Sequence, residues 1–244
     1  MSRQLFDTPI PRDHGFRIRR VLARSLSTWS CNVLPFTAVA AIVYAPILVY
    51  AFWVLEQPFN LARLESVDRW LLLGPLMLEP IVAGLIAHAV LRQHRGKPTG
   101  VLEAIGEAAR QFLPLLAVTL VGAILVSVGV FALVIPGLII YFAFFVAGPV
   151  AAIEKTGIGE AFGRSAELTN GHRLKLFGVV LVIGLMTYAS SQWLASAARS
   201  VTTLEDLKLY IAIYYLFILN ISTLRAVVRA SSYVELAGDD VPTS

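Results

Sequence analysis

The sequence has 244 residues, of which 57% are apolar, and its 17 glycines raise that share to about 64%, where soluble domains carry roughly 45–50%. Charged residues contribute 15%, the net charge is +4 and the mean hydropathy is +0.73. These figures exclude a disordered chain, a nucleic-acid-binding domain and an ordinary soluble enzyme, and leave a multi-pass membrane protein.

Residues 1–15 read as a flexible N-terminus. Residues 1–30 carry six arginines and no continuous apolar core of a signal peptide, so the first span is expected to remain as an anchor. An amphipathic helix precedes it. Ile18, Val21, Leu22, Leu26, Trp29 and Val33 share one stripe, while Arg17, Arg20 and Arg24 share the opposite face. Cys31 to Leu55 then runs 25 residues without a charge, enough to cross a hydrocarbon core that needs ~20. Cys31 is also the single cysteine, which excludes an intramolecular disulfide and a cysteine-based zinc site.

The second span is Trp70 to Leu91, interrupted by Glu79 and His88. The basic cluster Arg92, Arg95 and Lys97 follows it. A second amphipathic stripe then comprises Val101, Leu102, Ile105, Ala108, Ala109 and Phe112. Phe112 to Ile153 is 42 residues without a charge, which makes two spans with a natural break at Ile135-Pro136-Gly137. Ile158, Ala161, Phe162, Ser165 and Leu168 form a third, weaker stripe. Span 5 is Leu176 to Ala198. Span 6, Leu209 to Leu224, is short at 16 residues, with Lys208 and Arg225 able to snorkel at its ends. Residues 231–244 read as a cytoplasmic tail.

The expected fold is an all-α integral membrane bundle of six spans with three cytoplasmic amphipathic interfacial helices. Lysine and arginine divide 16 to 4 between the two sides, which by the positive-inside rule places both termini in the cytoplasm. The interfacial segments resemble one another. Thr99, Gly100, Glu103 and Gly106 recur as Thr156, Gly157, Glu160 and Gly163, each time with Thr as N-cap and Glu in the first helical turn. This predicts a threefold repeat of an interfacial helix plus a transmembrane hairpin, over approximately 16–92, 97–153 and 154–230.

Candidate chemistry is sparse. Glu79, directly before Pro80, is an expensive carboxylate near the middle of span 2. It reads either as a proton or cation site or as a structural carboxyl satisfied within the bundle. His88 lies about 13 Å further along the helix axis, so the two cannot share a metal. No metal or cofactor is expected. Gln192 with Ser190 and Ser191 in span 5, and Asn220 in span 6, form a polar set that usually bridges helices. Gly122, Gly129, Gly148 and Gly184 permit close helix contact. Arg17, Arg20, Arg24, Arg92, Arg95 and Lys97 form a basic interface that attracts anionic lipid headgroups, although topology alone would also place them there.

The stretch Ile135-Pro-Gly-Leu-Ile-Ile-Tyr141, Gly148-Pro149-Val150, Glu154, then Glu160-Ala-Phe-Gly-Arg-Ser165 and Leu168, with the closing Tyr233-Val-Glu-Leu236, resembles a bacterial pattern. It is similar to the six-helix membrane domain at the N-terminus of some glycerophosphodiester phosphodiesterases, and to stand-alone inner-membrane relatives. The resemblance covers most of residues 16–236 and implies a bacterial inner-membrane location. His94-Arg95-Gly96 matches a motif of the phosphodiesterase catalytic domain. Here it occupies a short turn, with no barrel-sized domain and no downstream Pro-Glu-Asn run.

The expected function is therefore non-enzymatic: handling of lipids or amphiphiles, or support of membrane integrity, with membrane lipids as partners and no nucleic acid. Two alternatives stay open. One is a small transporter or channel using Glu79 and the polar residues of spans 5 and 6. The other is a scaffold that forms a homo-oligomer or joins a membrane protein partner. Purified protein incubated with glycerophosphodiesters is expected to show no turnover, and metal-dependent hydrolysis would overturn that expectation.

Overall fold

The structure is a computed structural model that describes residues 16–58, 78–79, 81–91 and 101–238. Among these residues there are helices and turns and no strand. The helices are α1 (Ile18–Cys31), α2 (Val33–Leu55), α3 (Ile81–Leu91), α4 (Val101–Ala132), α5 (Val134–Ala143), α6 (Ala147–Glu154), α7 (Ile158–Thr169), α8 (Arg173–Ala197) and α9 (Leu204–Ala237). Among the described residues, four stretches are long and apolar enough to cross a membrane: Val33–Leu55, Ile135–Glu154, Arg173–Ala197 and Glu205–Ala237. Ile81–Leu91 and Leu113–Gly129 are shorter apolar helices.

Several elements differ from the sequence expectation, each for a local reason. The second amphipathic stripe is not a separate helix. It is continuous with the apolar run that follows, as α4 passes through Pro114 without a break. By contrast, α1 ends at Asn32, whose side-chain Nδ2 donates to the Thr28 carbonyl at 2.8 Å and whose backbone N–H donates to Trp29. The matching Pro35 then falls in the first turn of α2, where proline removes no helical bond.

The break between α4 and α5 lies at Leu133, with extended backbone, and not at Pro136-Gly137. Those two residues sit at the start of α5. The last helix is far longer than the 16-residue uncharged run within it. α9 has 34 residues, about 51 Å of helix, and incorporates Arg225, Arg229 and the segment 231–237 that reads as a tail. At its start, Thr203 accepts from the Asp206 N–H at 3.1 Å, and Asp206 accepts from the Thr203 N–H at 3.0 Å.

A second break divides the apolar run Phe112–Ile153 at residues 144–146. Pro149 has no N–H to give the Phe145 carbonyl, and its ring would crowd that carbonyl in a continuous helix. The chain turns there, and the Ala147 N–H bonds Phe144 instead of Ala143. The freed Ala143 carbonyl accepts from Ser165 Oγ at 2.8 Å and Thr169 Oγ1 at 3.2 Å. Both donors belong to α7, so this helix packs into the bundle through buried Ala161, Phe162, Ser165 and Thr169. Glu160, and not Thr156, caps its start by accepting from the Gly157 N–H at 3.3 Å.

α9 is the centre of the packing and touches α1, α2, α6, α7 and α8. Its last turns are fastened on two sides. Glu235, with its side chain only 7% exposed, lies 3.2 Å from Arg20 and 3.5 Å from Arg24. Tyr233 donates to Glu154 Oε1 at 2.8 Å, and Arg164 Nε stands 3.7 Å from the same oxygen. Arg20 and Arg24 are thus engaged by a carboxylate of α9, while Val21, Ser25 and Thr28 form the buried face of α1.

Removing the carboxylate of Glu235 strands two guanidiniums that are 30% and 20% exposed. Breaking a fully buried pair costs several kcal/mol, and this exposure reduces the expected loss for Glu235→Gln to about 1–3 kcal/mol. The exposed Glu205–Lys208 pair offers the contrast, because Glu205→Gln should stay within ~0.5 kcal/mol. Unfolding of both variants in the same detergent checks this, and equal stabilities would refute the role given to Glu235.

Candidate functional site: two cavities meeting at Arg229

The break at 144–146 faces open space on both sides. One cavity of 380 Å³ lies between α4 and the α5–α6 break, walled by Leu115, Val118, Val126, Phe144, Phe145 and Phe162, with Glu79, Thr119 and Ser127 as polar members. A second, of 320 Å³, lies toward α8, where Val180, Ile183, Gly184 and Thr187 face Arg225 and Val228. Tyr141, Phe145 and Arg229 belong to both walls. Both volumes fall in the ~300–1,000 Å³ range of small-molecule sites.

The polar centre is an ion pair. Arg229 stands 3.7 Å from Glu79 Oε1, and the side chains keep 32% and 24% exposure. Arg229 is counted among the topology-setting cations in the sequence, yet here it faces a carboxylate across a cavity. Arg225 is one helical turn earlier on the same face of α9 and lines the second cavity. Sequence reasoning singled out Glu79 and missed its partner, because Arg229 follows the uncharged run and looks like flanking charge. The signal available was the spacing Arg225, Arg229, Tyr233, a four-residue stripe on a continuous helix.

The other candidates are dispersed. Asn220 joins helices: its Oδ1 accepts from Thr37 Oγ1 of α2 at 3.1 Å, and its Nδ2 donates to the Leu216 carbonyl at 2.8 Å. One turn on, Thr223 accepts from Trp29 Nε1 of α1 at 3.0 Å. Gln192 is exposed on α8, and Ser190 and Ser191 bond carbonyls of their own helix, so this set joins neither Asn220 nor Glu79. His88 is half-buried on α3. Arg17 is exposed beside Arg20 and Arg24. Pro80, Arg92, Arg95, Lys97, Thr99 and Gly100 lie outside the described residues, as does the side chain of Glu103; Gly106 lies within α4, and Gly163 is exposed on α7. Among the described residues no three His, Cys, Asp or Glu side chains are grouped to hold a metal.

The glycines divide into two kinds. A Cβ on Gly129 would stand 2.9 Å from the Gly137 Cα, so α4 and α5 approach there as close packing requires. A Cβ on Gly148 or Gly184 would meet nothing within 4 Å, because both residues line the cavities.

Fold and cavities together define a multi-span helical membrane protein, all-helical among the described residues, with an ion pair beside two largely apolar cavities. Residues 22–236 match the family described as a domain of unknown function, DUF7847, and the chain belongs to that family. No curated protein and no solved structure matches it.

The two kinds of glycine are separable by melting temperature. Gly129→Ala should be destabilised by overpacking, about 1–3 kcal/mol before a helix-propensity gain of up to ~1 kcal/mol. Gly184→Ala should keep or raise the melting temperature. A loss at Gly184→Ala equal to that at Gly129→Ala would contradict the open space beside it.

Proposed function

We propose that this is a non-enzymatic, multi-pass bacterial inner-membrane protein that binds a lipid or other amphiphile within its helical bundle. In this reading Trp70–Leu91 and the apolar part of α4 complete a set of six spans, and both termini are cytoplasmic. The observation that carries it is the pair of cavities meeting at Tyr141, Phe145 and Arg229. Their walls are largely apolar and aromatic, and the charged group they share is Arg229, paired with Glu79, the combination expected of a site for a molecule with an apolar body and a polar head. The resemblance of residues 135–168 to the phosphodiesterase-associated membrane domain is consistent with a role at the lipid phase. The same resemblance supports the three-unit repeat, in which the third unit runs through α7, α8 and α9.

One observation favours transport as a second reading. The span Ile135–Glu154 is interrupted at 144–146, and interrupted helices beside a cavity occur in transporters, where the freed backbone lines the substrate site. Here the freed Ala143 carbonyl is instead occupied by Ser165 and Thr169, which favours binding over passage.

Purified full-length protein in a neutral detergent should retain a co-purifying amphiphile, seen as discrete adducts in native mass spectrometry. Gly148→Leu and Gly184→Leu should each fill a cavity and lower the adduct fraction several-fold without lowering the yield of folded protein. Absence of any adduct from the wild type, across lipids of every headgroup charge, would sink the proposal.

A further inference from the structure

Arg225 and Arg229 present two guanidiniums, one helical turn apart, to the cavity beside α8. Glu79 faces Arg229 at 3.7 Å, and among the described residues no carboxylate forms an ion pair with Arg225. Two cations against one anion leave one positive charge uncompensated. Arg225 is exposed at the rim of this cavity and the Arg229 side chain is 32% exposed, so both guanidiniums are open to an incoming anion.

The spacing narrows the anion. A carboxylate is satisfied by a single bidentate guanidinium, whereas a phosphate offers several oxygens in different directions and can engage two arginine forks at once. The surroundings narrow it further. Val180, Ile183, Phe145 and Val228 flank the arginines, so the anion arrives attached to something apolar. The Glu79–Arg229 separation is longer than the ~2.7–2.9 Å of a tight charge-assisted hydrogen bond, so Arg229 retains donors for another oxygen.

The geometry points to Arg225 and Arg229 as the headgroup site for an anionic membrane phospholipid, one whose phosphate is not neutralised within its own headgroup, with Glu79 as the resident counter-ion that competes with the headgroup for Arg229. This rests on the proposed amphiphile-binding function and names the ligand's chemical class and the residues that select it. Glu79 then sets the affinity. It stabilises Arg229 while the site is empty and must give way when phosphate binds.

The test uses full-length protein in a neutral detergent, titrated with phosphatidylglycerol, phosphatidylcholine or inorganic phosphate and read by native mass spectrometry and thermal shift. Wild type should bind anionic phosphatidylglycerol about tenfold more tightly than zwitterionic phosphatidylcholine, the scale of one strong charge-assisted contact. Arg225→Gln should erase that preference while leaving the Glu79–Arg229 pair in place. Arg225→Lys, the conservative variant, should retain part of it and serves if the glutamine variant folds poorly. Glu79→Gln should strengthen phosphatidylglycerol binding several-fold by removing the competitor. Equal binding of both lipids by wild type, or an undiminished preference in both Arg225 variants, overturns the inference while the amphiphile-binding reading stands. Displacement of bound phosphatidylglycerol by equimolar inorganic phosphate overturns the lipid source and assigns the arginines to a free anion. Failure to bind either lipid overturns the functional reading itself, and the headgroup site with it.

Discussion

Pro149 cannot donate a backbone hydrogen bond, and much of the bundle's interior is arranged around that one missing donor. The helix opens at 144–146, and the Ala143 carbonyl is left without its usual donor, the Ala147 N–H. An unpaired carbonyl in an apolar interior costs on the order of 1–3 kcal/mol, and α7 supplies two hydroxyls to satisfy it. The same break turns Phe144 and Phe145 into the cavity walls, and Phe144 packs at a tilt against Phe162 of α7 with ring centroids 4.5 Å apart. A single backbone defect therefore both docks a helix and creates the space beside it.

The opposite wall is α9. Along its length it carries a succession of polar residues, each meeting a different partner: Asn220 and Thr223 toward α2 and α1, Arg225 and Arg229 toward the cavities, Tyr233 toward Glu154, and Glu235 toward Arg20 and Arg24. This gives physical meaning to the motif residues. Glu154, Arg164, Ser165, Tyr233 and Glu235 are dispersed in sequence, yet each makes a contact that closes the bundle around the broken helix. A polar group inside an apolar bundle must find a partner, so such residues specify which helices meet.

The basic residues take on a second meaning. As a distribution along the chain they orient the protein, and that argument needs no partners at all. In the fold, Arg20, Arg24, Arg164 and Arg229 each stand within 4.0 Å of a carboxylate. The amphipathic stripe of α1 likewise changes role. Its buried face is Val21, Ser25 and Thr28, small enough for close approach to α9, whereas Leu26 of the expected apolar stripe remains 38% exposed.

The sequence by itself determined the helical, membrane-spanning character of the chain, the placement of α2, α8 and the apolar run that contains α5 and α6, and the singular position of Glu79. Those properties follow from local composition, because a backbone in lipid must satisfy its own hydrogen bonds and a long uncharged run can do so only as a helix. The tertiary structure alone decided where the run Phe112–Ile153 breaks a second time, that α4 is continuous, that α9 reaches Ala237, and which charges meet. Proline at 149 was a visible signal for the second break, but it took a neighbouring helix with hydroxyls at the right height to make that break tolerable. The pairing of Arg20 with Glu235 spans 215 positions and that of Glu79 with Arg229 spans 150, and no periodicity within either segment encodes the other's location. Ion pairs of that kind exist only once packing has brought the helices together, which is why the candidate site was half legible as one costly carboxylate and complete only with the arginine opposite it.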